Sequence, residues 1–217
     1  ESTFIHHVGS PNPYRRKDNQ TVDDFCDEKV KEFEDKILEI GPNKVAAYIA
    51  EPVLASGGCI VPPKNYIKRF WEICKKHDIL YISDEVVTGF GRLGHFFCSQ
   101  EEFGIIPDII TSAKGITSGY IPLGAVLISD RLMKSISKDS SLFFHGFTYS
   151  GHPVSCAAAL KNIEIIKRDK ILDHVKNIAP YFHQKLKTLY EIPIVGDVRG
   201  MGLMAGIECV IDKDSKN

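Results

Sequence analysis

The chain has 217 residues, with 27 lysines and arginines against 28 aspartates and glutamates, and 43% of its residues are hydrophobic. This composition suits a soluble globular protein and excludes the strongly basic surface of a nucleic-acid-binding or membrane-surface protein. No apolar run approaches the roughly 20 residues of a membrane-spanning helix, so we expect a cytoplasmic protein.

The first half of the sequence alternates between helical and strand-like patterns. In chain order we predict a helix over residues 25–38, a strand over 45–50, a helix introduced by Pro62 and Pro63, and strands over 79–82 and 109–111. Strands that alternate with helices predict a largely parallel sheet. The expected fold class is therefore α/β.

The second half continues this pattern and then changes. We predict a fourth strand over residues 124–128, a helix that opens at Pro153, an amphipathic stretch over 171–190, and a glycine-rich strand pair over 194–210. The strand pair indicates a second, smaller unit.

Six cysteines are spread along the chain without a CxxC pair, and the eight histidines form no HExxH motif. This spacing favours reduced, mostly buried thiols over a disulfide framework. We expect no metal site, because no set of potential ligands has the required spacing.

Polar residues stand at the expected carboxyl ends of three successive strands, namely Glu51, Asp84 and Lys114. In a parallel sheet these ends meet at one edge, where ligands bind. Burial just past a strand would disfavour the ammonium form of Lys114 and leave an amine that can condense with an aldehyde. Pyridoxal phosphate requires such a lysine together with a carboxylate at its ring nitrogen. For an arbitrary pair of this kind, the simpler interpretation is preferred, in which Lys114 is a solvated loop lysine and Asp84 is a turn residue.

Residues 89–94 match the GxGxxG pattern of dinucleotide-binding sites. Two carboxylates, Asp84 and Glu85, precede these glycines and would repel a pyrophosphate. The following residues, 95–98, are also unlike the small-residue start of the expected helix. We therefore do not predict a nicotinamide site.

Two further residues are candidates for contacts with the cofactor. Val86 would share a strand face with Asp84 and pack on the ring, although an ordinary core position explains it equally well. Thr148 precedes a helix, where a hydroxyl suits a phosphate. Simple helix capping is the alternative for Thr148.

Four segments resemble the class III pyridoxal-phosphate aminotransferases in order and approximate spacing. They are residues 50–53, 84–92, 113–115 and 145–153. The likeness runs over nearly the whole chain and is greatest to omega-aminotransferases that take amines or omega-amino acids. It implies aminotransferase fold type I, with a large cofactor-binding domain over residues 1–170 and the start of a small α+β domain over 171–217.

The resemblance also implies roles for individual residues. Lys114 would form the Schiff base with pyridoxal phosphate, Asp84 would hold the pyridine nitrogen, and Val86 would pack on the ring. Thr148, with Phe147 beside it, would reach the phosphate of the neighbouring subunit's cofactor, which implies a homodimer. The resemblance also implies that Glu51 is a further cofactor-binding residue. The implied reaction moves an amino group from an omega-amino acid, amine or diamine to a keto acid such as pyruvate.

Three positions refine this expectation. Ornithine and 4-aminobutyrate enzymes of the class hold a glutamate where this chain has Ser56, and a glutamine often stands where it has Val87. Both differences favour the amine:pyruvate group. Arg199 belongs to a small-domain motif and is not assigned to a substrate carboxylate.

Family members are much longer than this chain, and their phosphate cup and substrate-carboxylate arginine lie outside the matched region. We therefore expect a fragment. Two alternatives remain open, namely another reaction of the same fold, such as that of a racemase, decarboxylase or phospho-lyase, and a non-catalytic remnant.

Overall fold

The computed structural model describes residues 4–137 and 145–217, and its larger sheet has four strands in the order β1-β2-β3-β4. The strands are β1 (Ala47–Ala50), β2 (Leu80–Asp84), β3 (Ile109–Ser112) and β4 (Ala125–Ile128). Strands β1, β2 and β3 run parallel. Strand β4 is antiparallel to β3. Residues 113–124 connect the two strands and contain a single 3-10 turn but no crossover helix of the kind that joins parallel strands. The predicted α/β class is confirmed.

The described residues form helices α1 (Val22–Ile40), α2 (Tyr66–Lys76), α3 (Cys98–Glu101), α4 (Asp130–Ser137), α5 (Pro153–Arg168) and α6 (Ile171–Lys187). Helix α1 begins at a capping box, in which the Thr21 hydroxyl accepts a hydrogen bond from the Asp24 N–H at 3.0 Å. Gly41 ends this helix with a φ of 94°. Among the described helices, none has the length and apolar character needed to cross a membrane.

The main core lies between helices α1 and α2 and one face of the sheet. Phe33 of α1 stacks on Phe70 of α2, with ring centroids 4.3 Å apart. Tyr48 of β1 and Tyr81 of β2 are in register and contact the same cluster. Because side chains alternate along a strand, Asp84 points to the face opposite Tyr81. The core therefore fixes the sheet without occupying the face that carries Asp84.

A second sheet is the antiparallel pair β5 (Val195–Met201) and β6 (Met204–Cys209), as predicted. Its Arg199 donates from Nε to the Gly58 carbonyl at 2.9 Å and from Nη1 to Asp197 Oδ2 at 2.8 Å. Arg199 thus joins this hairpin to the segment that follows β1. The boundary between residues 170 and 171 stays a prediction.

All six cysteines are unpaired, and four of them are buried. Desolvation disfavours the thiolate and raises the pKa of Cys74 to about 12. The prediction that most of the thiols are buried is confirmed, and their reduced state stays a prediction.

Candidate active site

The carboxyl ends of β1, β2 and β3 lie side by side, as the sequence predicts. Ala50 pairs with Ser83, and Asp84 pairs with Thr111. Glu51 directly follows β1 and therefore lies beside Asp84. Lys114 comes three residues after Thr111, the β3 partner of Asp84. One edge of the sheet thus carries the two carboxylates and the amine.

Beside β1 lies a cavity of about 1060 Å³, lined by β1, by α1 and by residues 4–11. Glu51 and Asp84 both line it, whereas Lys114 does not. The Glu51 carboxylate accepts a hydrogen bond from the Ala55 N–H at 2.9 Å and so closes the turn after β1. Glu51 is therefore engaged in local structure as well as facing the cavity.

Asp84 is half-buried at the last position of β2. Its Oδ1 accepts a hydrogen bond from the Val86 N–H at 3.0 Å, a short-range contact typical of aspartate in turns. Within the described part of the chain, Oδ2 has no hydrogen-bond donor. One carboxylate oxygen holds the local backbone, and the other is available to a ligand.

The chain turns directly after Glu85, so Val86 begins a turn and does not extend β2. Strand alternation therefore does not set the direction of the Val86 side chain, and the prediction that Val86 shares a strand face with Asp84 was wrong. Val86 is half-buried next to Asp84, and its contact with a ring stays a prediction.

Lys114 opens a 3-10 turn, Lys114–Thr117, and is exposed. The expectation of a buried lysine was therefore wrong for the described residues. The turn buries Ile116 and Thr117 and leaves Lys114 outside. Its φ of 41° is in the left-handed region, which is sparsely populated by residues with a β-carbon. Backbone strain of this kind is often found at functional sites.

Asn162 of α5 holds this turn, and it is not among the residues predicted from the sequence. Its Nδ2 donates to the carbonyls of Gly115 at 2.9 Å and Ile116 at 3.1 Å. Its Oδ1 accepts from the Ser118 hydroxyl at 2.7 Å. No local pattern marks Asn162, because its partners lie more than forty positions earlier in the chain.

We expect Asn162→Leu to destabilise the protein by about 1 kcal/mol, because two carbonyls lose their donor. The free energy of unfolding in urea measures this loss. Lys161→Leu, at an exposed position of the same helix, is the matched control. Equal stability of the two variants would contradict the assignment of Asn162 to the turn.

The glycine-containing segment 89–94 forms turns and leads to the four-residue helix α3. It therefore lacks the long helix that a dinucleotide-binding motif places against the pyrophosphate. This geometry does not suit a nicotinamide site, in agreement with the prediction from the sequence.

Phe147 and Thr148 lie in an exposed turn ahead of α5 and do not line the cavity. The Phe147 N–H donates to the Ser150 hydroxyl at 2.8 Å, so the turn is held by its own residues. The structure thus does not bring Phe147 and Thr148 to Asp84 within one chain. Both side chains are presented outward, where a second subunit can contact them.

The strand-end residues fit the needs of pyridoxal phosphate. Lys114 is accessible, and its amine makes no ion pair within residues 4–137 and 145–217. Asp84 has an available oxygen. Thr111, in register with Asp84, has a buried hydroxyl that lacks a hydrogen-bond partner in the described structure.

A family model for aminotransferase class-III matches residues 2–217. The chain is 44% identical over 213 residues to a putrescine–pyruvate aminotransferase of Pseudomonas aeruginosa, covering 98% of this chain and 46% of the relative. It is also 44% identical over 214 residues to the chloroplastic gamma-aminobutyrate transaminase 3 of Solanum lycopersicum, covering 97% of this chain and 41% of the relative.

Among solved structures, an (S)-enantioselective omega-transaminase from Thermomicrobium roseum superimposes with a TM-score of 0.93 at 45% identity. The match covers 98% of this chain and 47% of that one. The chain therefore spans about half the length of the relatives that it matches.

Proposed function

Because the chain belongs to the class-III aminotransferase family, we propose that the protein carrying it is a pyridoxal-phosphate-dependent transaminase. It would move an amino group from an amine, diamine or omega-amino acid to a keto acid such as pyruvate. The observation that carries this proposal is the juxtaposition of Asp84 and Lys114 at the ends of neighbouring parallel strands. This geometry supports a site in which Asp84 contacts the electron-withdrawing ring of a cofactor and Lys114 attaches the cofactor covalently.

The roles of the two residues follow from their chemistry. Pyridoxal phosphate, when bound, supplies an aldehyde that condenses with amines and a ring that stores electrons. The negative charge of Asp84 would keep the ring nitrogen protonated. Lys114 would attach the cofactor and, once released, carry a proton between two carbon atoms. The left-handed turn and Asn162 would hold the backbone of Lys114 during both tasks.

The remaining candidate contacts are proposals on the same basis. Glu51 would border the cofactor from the end of β1, and Val86 would pack on the ring. Thr148, with Phe147 beside it, would reach the phosphate in the partner subunit of a homodimer. The outward position of both side chains supports this assignment.

Shared sites predict that two inactive variants complement each other. Lys114→Ala removes the attachment point, and Thr148→Glu places a negative charge against the phosphate. In a heterodimer of the two variants, one site carries both changes and the other carries neither. We expect about half of the unmodified activity, because one of two sites is intact.

Differently tagged subunits, co-expressed and purified through both tags, give this heterodimer. Its activity is compared with that of each variant homodimer. A heterodimer that is folded and dimeric but inactive would exclude the sharing of Thr148 between subunits.

An assay for keto-acid-dependent amino transfer tests the proposed reaction. Putrescine and 4-aminobutyrate, suggested by the names of the relatives, are offered with pyruvate, and alanine is measured. Ser56 and Val87 support faster reaction with the diamine. A protein that binds pyridoxal phosphate but forms no alanine from either donor would point instead to another reaction of the fold, such as that of a racemase, decarboxylase or phospho-lyase. Failure to bind pyridoxal phosphate would exclude the transaminase and support a non-catalytic remnant.

We also propose a cytoplasmic location. The six unpaired thiols support a reducing compartment. Separation of cell extracts into membrane, soluble and organellar fractions, followed by immunodetection, tests this point.

A further inference from the structure

We propose that Glu85 is a positioning residue that fixes Asp84 and the turn of Lys114 relative to each other. It would act through the segment of residues 85–99, called here the Glu85 loop. This inference rests on the proposed function, because it assigns a task to Glu85 only if Asp84 and Lys114 serve one cofactor. It concerns a carboxylate that points into the protein and touches neither cofactor nor substrate.

The Glu85 carboxylate is fully buried, and its partners are neutral donors. Oε2 accepts from the Cys98 N–H at 2.8 Å and from the Thr88 hydroxyl at 3.2 Å. Oε1 accepts from the Ser99 N–H at 3.0 Å and from the Ser99 hydroxyl. Four donors match the acceptor capacity of a carboxylate. Burial, with the nearby charge of Glu85, also raises the pKa of the Cys98 thiol.

All four of these donors belong to the Glu85 loop, so the carboxylate closes the loop onto the end of β2. The Glu85 N–H donates to the Thr111 carbonyl of β3 at 2.9 Å. The Ser99 hydroxyl also contacts the Ser83 hydroxyl at 2.9 Å, and both serines are fully buried. Glu85 therefore ties together β2, β3 and the start of α3 immediately beside Asp84.

The same loop supports the Lys114 turn from the other side. The Gly89 N–H donates to the Glu85 carbonyl at 3.0 Å, which sets the path of the next residue, Phe90. A β-carbon added to Gly115 would lie 2.9 Å from the β-carbon of Phe90 and 3.3 Å from the Gly89 carbonyl oxygen. Residues 89 and 90 thus pack directly against the residue that follows Lys114. Movement of the Glu85 loop would displace Lys114 relative to Asp84.

Each oxygen of Glu85 accepts from a backbone N–H, and this makes the carboxylate hard to replace. Glutamine has nearly the same shape, but its amide nitrogen would face the N–H of either Cys98 or Ser99 in both orientations of the side chain. A hydroxyl can rotate away from such a contact, whereas a backbone N–H cannot. Glu85→Gln should therefore loosen the loop without leaving a large cavity.

The first test uses the protein without added cofactor. In Glu85→Gln we expect amide hydrogen exchange to become about tenfold faster, or more, in peptides covering residues 85–99 and 111–119. Ile79→Val, a core change at the opposite end of β2, is the matched control for a general loss of stability. Unchanged exchange in residues 111–119 of Glu85→Gln would overturn the proposal.

The second test adds pyridoxal phosphate. We expect Glu85→Gln to weaken cofactor binding about tenfold or more and to change the visible absorbance of the bound cofactor, which Ile79→Val should leave unchanged. Thr88→Val removes one donor with little change in shape and should give a smaller effect of the same kind, and it remains informative if Glu85→Gln fails to fold. Normal affinity and absorbance in a folded Glu85→Gln would overturn the positioning role. Absence of binding by the unmodified protein would instead reject the proposed function.

Discussion

Replacement of Lys114 by alanine should lower the rate of amino transfer by about 10³-fold or more, because one side chain supplies both the attachment point and the proton carrier. Little loss of stability is expected, since Lys114 is exposed. Alanine also has a β-carbon, so the strain of the left-handed backbone is unchanged. Steady-state kinetics and thermal unfolding measure the two quantities.

Lys161→Ala is the matched control for this variant, because Lys161 is an exposed lysine of α5 outside the proposed site. It should keep full activity. A Lys114→Ala protein that retains a comparable rate would show that the reaction does not pass through this amine.

Asp84→Asn should lower the turnover number by about 10²-fold or more, because the neutral amide no longer favours a protonated ring nitrogen. Asparagine retains an oxygen that can accept the hydrogen bond from the Val86 N–H. The turn after β2 should therefore persist, and cofactor binding should fall much less than turnover. Separate measurement of the cofactor dissociation constant and of kcat distinguishes the two effects.

Asp78→Asn is a suitable control, because Asp78 is exposed, precedes β2 and has a positive φ that asparagine tolerates. It should leave both quantities unchanged. If Asp84→Asn kept the normal turnover number, the carboxylate would not be acting on the ring.

The sequence was sufficient to predict the sheet and the position of its functional edge. Strands β1, β2 and β3 are short apolar runs between helices. Asp84 stands at the end of β2 and Lys114 just after the end of β3, so both positions could be predicted from these runs. The small helices α3 and α4 were missed, because four to eight residues carry too little periodicity. The antiparallel direction of β4 depends on the connection that precedes it, which the strand pattern does not describe.

The environment of the site was harder to predict than its position. The exposure of Lys114 depends on a left-handed turn at a residue that is not glycine, and no local preference predicts such a turn. Asn162 and Glu85 act through partners that the fold brings together. Their contacts could not be inferred from neighbours in the sequence, because they depend on tertiary structure.

Reductive trapping with borohydride in the presence of pyridoxal phosphate, followed by peptide mapping, identifies the lysine that binds the cofactor. We expect one stable pyridoxyl label, on Lys114, and its loss in Lys114→Ala. A label on another lysine, or no label at all, would contradict the assignment of Lys114 as the cofactor-binding residue.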